Sequence, residues 1–184
     1  MSKAQLKKTL ATLTPEQKDE LILDLYSARA EAKAYLEFFI NPDIDKLIEK
    51  STSEIAKEVF KRGSRGYNKP RISRIRNVIK NVATLNPGAE YVLALMFNTL
   101  SLLATAGNQG YWYTEISLRS FGRIIAEMLR LADDNAMLEP TLARLNNLID
   151  GIKSGPFHRP GNFMRQQLKY HVEEGIAMLG SSKK

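Results

Sequence analysis

Apolar side chains recur at intervals of three and four along most of this chain, and that period limits what it can fold into. Ile72, Ile75, Ile79 and Val82 set the pattern. At about 100° of turn per residue they share one face of a helix, with arginine and lysine around the rest of the circumference. The same spacing is carried by Leu21, Leu25, Ala28, Ala32, Leu36 and Phe39, by Leu118, Phe121, Ile125, Met128 and Leu129, and by Leu138, Leu142, Leu145, Ile149 and Ile152. Valine and isoleucine fall inside these helical patterns, with no alternating runs, which argues against βαβ units.

Punctuation between the periodic segments sets the expected helices. Lys3 to Leu10 forms a short opening helix, and Thr14-Pro15-Glu16-Gln17 starts a second, with Thr14 as cap, Pro15 at the first helical position and Gln17 completing a capping box. This second helix is expected to run to about Ile40, where Asn41-Pro42 interrupts it and starts a third carrying Ile44, Leu47, Ile48, Ile55, Val59 and Phe60. After a loop by composition, RGSRGYNKP, a helix follows from Arg71 to about Ala83. Asn86-Pro87 then repeats the cap-and-proline start of a segment that is apolar on most sides as far as Ala106. Such a helix must be covered all round, so it is expected at the centre of a bundle. A helix to about Asp133, one ended by Ser154-Gly155-Pro156, and one to about Leu179 complete the reading, the last with Phe163, Leu168, Val172, Ile176 and Leu179 as an imperfect stripe.

The expected class is therefore all-α: one domain, 1–184, an irregular bundle of six or seven substantial helices around a central apolar helix, with a frayed tail at 180–184. The recurrence of Asn-Pro at Asn41 and Asn86 offers HEAT-like helix pairs, a repeat of about 45 residues, as the alternative arrangement.

Composition narrows the chemistry. The chain has no cysteine, which removes disulfides, thiolate nucleophiles and cysteine-ligated metal centres. The N-terminal lysines are followed by no apolar segment of signal-peptide type. The longest apolar stretch, Tyr91 to Ala106, is interrupted by Asn98, Thr99 and Ser101 and suits a buried helix better than a bilayer span. A cytoplasmic protein without a membrane partner is expected.

Charge is concentrated in one place. Between Lys57 and Lys80 stand nine lysines and arginines against a single acid, Glu58, and this run alone accounts for the formal charge of +7 on the whole chain. Helical geometry puts Arg71 and Arg74 on one flank of their helix and Arg76 and Lys80 on the other. The preceding loop adds Lys61, Arg62, Arg65 and Lys69, with glycines whose backbone N–H groups can face an anion and Tyr67 available to stack on a base. These eight cations are the candidate site for a polyanion: nucleic acid, or the acidic surface of a protein. The loop lacks GxxxxGK[ST], and no helix-turn-helix, RNA-binding aromatic pair or zinc-finger spacing accompanies it, so a sequence-specific reader is not expected. An ordinary solvated basic surface is the plain alternative.

Two other places stand out. Tyr111-Trp112-Tyr113 follows the turn Gly107-Asn108-Gln109-Gly110; three consecutive aromatics cannot all face one core, so they either plug the end of the bundle or offer an interface, including one for self-association. Phe157-His158-Arg159 could act similarly near the last helix. His158 and His171 are the only histidines, and their spacing matches no helical metal motif. An enzyme assembled around His171, with Glu173 or Glu174, is the third reading. No catalytic residue, metal or cofactor is selected by any motif.

The words ISRIRNVIK, at 72–80, followed by Asn86-Pro87 and an apolar helix ending at Gly107, resemble an uncharacterised family of small all-helical bacterial proteins of Bacteroidetes type. The similarity extends over SKAQLKKTLATLTPEQKDELILDLY and from about Tyr67 to Leu131. The resemblance implies a bacterial cytoplasmic helical protein and carries no functional residues onto this chain.

Overall fold

The computed structural model describes residues 2–63, 66–67, 69–156 and 158–182. Among them the chain forms nine helices and a minimal hairpin: α1 (Lys3–Thr12), α2 (Pro15–Ala28), α3 (Ala30–Ile40), α4 (Ile44–Val59), β1 (Arg62–Gly63), β2 (Gly66–Tyr67), α5 (Ile72–Leu85), α6 (Ala89–Asn108), α7 (Glu115–Asp134), α8 (Leu138–Asp150) and α9 (Arg159–Ser182). The expected six or seven helices are thus corrected to nine. The segment from Pro15 to Ile40 is two helices divided at Arg29, whose φ of −133° and ψ of 115° leave helical space. No glycine or proline marks that break, so the apolar period runs straight through it. The loop expected after α4 contains an antiparallel pairing of Arg62 with Tyr67 and Gly63 with Gly66, too short to alter the all-helical class.

The chain divides into two compact units, Met1–Asp43 and Ile44–Lys184. In the first, Ser2 and Thr14 head α1 and α2 with reciprocal capping boxes: Thr14 Oγ1 accepts from the Gln17 N–H, and Gln17 Oε1 accepts from the Thr14 N–H at 3.0 Å. Helix α2 lies against α3, where the Tyr26 hydroxyl donates to Glu37 at 3.1 Å. Among the described residues, α1, α2 and α3 bury no side chain, and Phe39 and Ile40 are 74% and 78% exposed.

The second unit is built around α6, which touches α4, α5, α7, α8 and α9. Leu95, Leu100, Leu103 and Ala106 of α6 are buried among Ile55 and Val59 of α4, the Ile72-Ile75-Ile79-Val82 face of α5, and the stripes of α7 and α8. Among the described residues α6 alone is long and apolar enough to cross a membrane; here it is the core helix of a bundle. The turn into α6 departs from the expected capping. Asn86 ends α5 in the left-handed conformation, φ 53°, and Gly88, φ 124°, precedes the first turn of α6. Asn and Gly tolerate these angles where a β-branched residue does not.

The most extensive helix pair is α7 with α9. Two glycines allow it: a Cβ built on Gly122 would stand 2.5 Å from Cγ of His171, and one on Gly175 would stand 2.7 Å from Cδ1 of Leu129. Each glycine admits a side chain of the opposite helix onto its backbone.

Candidate functional site

Helix α4 ends on the carboxylate that organises the basic segment. Ser51, Ile55 and Val59 face the core, which places Glu58 beside the seam with α5, its side chain only 12% exposed. Oε1 of Glu58 accepts the backbone N–H of Arg71 at 3.0 Å and Nε of Arg71 at 3.2 Å, while Nη1 of Arg74 lies 3.9 Å from Oε2. Burial opposes ionisation of Glu58, but the two bonds from Arg71 and the charges of Arg71 and Lys61 outweigh it, holding the carboxyl below its ordinary value. One acid therefore collects three cations and fixes the start of α5, which has no side-chain cap of its own.

Next to this joint, Lys57, Lys61 and Arg74 line a hollow of about 340 Å³ between α4 and α5, with Glu54, Glu58 and Val78 on its walls. Lys57, Lys61, Lys69, Arg71, Arg74 and Lys80 are exposed. Arg76 lies on the other flank of α5 and reaches α7, where its guanidinium bonds Glu127; its Nε is buried without a hydrogen-bond partner among the described residues. Arg76 therefore ties two helices together and is committed to an acid, apart from the hollow. The Arg62 backbone lies in β1, but its side chain and that of Tyr67, and the whole of Arg65, lie outside the described residues, as does Phe157. Lys57 and Glu58 were missed as site residues by sequence reasoning. The signal for Glu58 was present: it is the one acid within a run of cations.

Tyr111-Trp112-Tyr113 divides between core and surface. Tyr111 and Tyr113 are buried, and the Tyr113 hydroxyl donates to the carbonyl of Leu103 at 3.0 Å while its ring meets Phe121 edge-on at 4.9 Å. Burial, with a smaller push from Tyr111, moves the Tyr113 phenol well above its ordinary value. Trp112 points outward, 57% exposed.

His171 lies in α9 with Nδ1 3.3 Å from Glu174, its ring packed on Gly122 and edge-on to Tyr170. Its Nε2 is buried without a partner among the described residues, an arrangement that costs about 1–3 kcal/mol. It borders a cleft of about 560 Å³ between α7 and α9, whose lining contains no serine, threonine or cysteine. Glu173 is exposed and Glu174 half-buried; only Glu174 meets the imidazole. Among the described residues no three metal-ligating side chains converge.

Comparison with curated proteins and with solved structures returns no match. The model of a family of unknown function, DUF6155, matches residues 1–151, a span that holds the whole basic face and stops before α9, and the chain belongs to that all-helical family.

Proposed function

We propose that this protein is a non-enzymatic helical binding module whose α4–α5 face holds a polyanion, with nucleic acid as the leading class and an acidic protein surface as the other. The observation that supports it is the grouping of Lys57, Lys61, Arg71 and Arg74 around one largely buried carboxylate beside an open hollow. Glu58 holds Arg71 and draws Arg74, and with Glu54 on the same wall the two acids do not match the four cations, so the face keeps positive charge. Lys69 and Lys80 extend it. Phosphates met this way give affinity and no sequence readout. The resemblance of the chain to Bacteroidetes-type proteins supports a bacterial, cytoplasmic setting.

Fluorescence anisotropy with single- and double-stranded DNA and RNA at about 50 and 200 mM salt tests the reading. For duplex DNA, the Lys61→Ala/Arg74→Ala double variant is expected to bind more weakly across all sequences and to lower the slope of log affinity against log salt by about 2, each released phosphate contact contributing about 0.9. An unchanged slope in that variant would remove nucleic acid from this face.

Exposed Trp112, between two buried tyrosines, supports a second reading as a self-associating protein. Sedimentation over a concentration series, with Trp112→Ser beside the parent, separates it from the first.

A further inference from the structure

We propose that the α7–α9 cleft binds a small anion with an aromatic or apolar body, at a site separate from the basic face. The charges of the cleft are unevenly spent. Glu115 is held by Arg119 at 2.5 Å, and Glu174 faces Nδ1 of His171 at 3.3 Å. Glu115 thus has a charged partner and Glu174 an imidazole beside it that is charged only when protonated, while Arg123, exposed on the same wall, makes no ion pair among the described residues. The Arg123 guanidinium, without an ion-pair partner among the described residues and a turn away from Arg119, with the Gln167 amide on the facing helix, supplies the forked donors that a phosphate or carboxylate takes.

The opposite wall is of another kind. Tyr170, 55% exposed, and Met178 present an aromatic face and a polarisable thioether, which suit a planar or apolar body. His171, nine-tenths buried against Gly122, closes the floor of the cleft between these walls. The volume, about 560 Å³, falls within the range of small-molecule sites, about 300–1,000 Å³.

The test is a titration of the full chain, followed by amide ¹H–¹⁵N spectra, with phenyl phosphate, inorganic phosphate and phenol as separate probes. Phenyl phosphate is expected to shift amides of α7 around Arg119, Gly122 and Arg123 and of α9 around Gln167 and His171. Its half-saturation should lie about tenfold below that of either fragment alone, since head and body each contribute. Arg123→Gln, a change at an exposed position, should weaken phenyl phosphate about tenfold, and Tyr170→Ala should erase its advantage over inorganic phosphate. No shift up to about 10 mM, equal binding by Arg123→Gln, or shifts confined to α4 and α5 would overturn the proposal. The last result would leave the polyanion reading standing, just as failure of the Lys61/Arg74 variant to alter nucleic-acid binding would leave this cleft untouched.

Discussion

Glu58 and Arg71 are joined twice through one oxygen, which accepts both the backbone N–H and the guanidinium Nε of Arg71. Glu58→Gln keeps the shape and removes the charge. It is expected to cost about 1–2 kcal/mol in chemical denaturation at neutral pH, as hydrogen bonds to a charged group are replaced by weaker ones. Because the folded carboxyl titrates below its ordinary value of 4.5, its contribution is present above that pH and fades as the pH falls through the folded value. The two stability curves should therefore converge in acid. The same substitution should tighten polyanion binding, since it removes the acid from the basic face. Loss of stability together with loss of affinity would contradict the proposed role.

His171 and Gly122 form a second joint. Gly122→Ala places a methyl group 2.5 Å from the imidazole, and overpacking of this kind costs about 1–3 kcal/mol. His171→Ala in the same chain should relieve part of that cost, giving a double-mutant coupling above about 0.5 kcal/mol. Strict additivity in thermal unfolding would mean that the two residues do not touch.

Tyr113→Phe removes the donor to Leu103 and should cost about 0.5–1.5 kcal/mol. The phenol of Tyr113 is pushed upward by burial, so the folded chain holds that proton more tightly than the unfolded one. Its contribution is full below the ordinary value near 10 and is lost as the pH rises above it. The parent should lose stability between about pH 10 and 11 faster than Tyr113→Phe; parallel alkaline limbs would argue against burial of this hydroxyl.

Trp112 is the single tryptophan, so fluorescence reports its surroundings alone. In dilute solution its emission should be that of a solvated indole, open to quenching by iodide. A shift to shorter wavelength and loss of quenching as concentration rises would place Trp112 in a contact between copies; invariance would leave it a surface residue.

The faces of α5 and α7 were legible because most inward positions carry a large apolar residue: Ile72, Ile75, Ile79 and Val82 are all buried, as are Leu118, Phe121, Ile125, Met128 and Leu129. Helix α9 was less so. Leu168 and Val172 are inside, but Ile176 is 42% exposed, and the stripe is completed by Met164, His171 and Gly175. A histidine and a glycine read as surface or turn until the partner helix that needs them is known. Arg76 illustrates the same limit. Its flank follows from helical geometry, but Glu127 lies 51 residues away, and no local pattern connects them. Leu21, Leu25 and Phe39 have the spacing of an inward face and are exposed, because period records which residues share a side and leaves open whether anything covers it.

The helices of the first unit, with no side chain buried among the described residues, have a kinetic consequence. Among the described residues every member of the hydrophobic core lies beyond Asp43, so amide protons before that point are expected to exchange through local helix opening, and those of α6 and α7 through the unfolding of the bundle. Deuterium uptake should separate the chain into a fast stretch and a slow one, and brief proteolysis should trim it from the front while leaving the rest resistant.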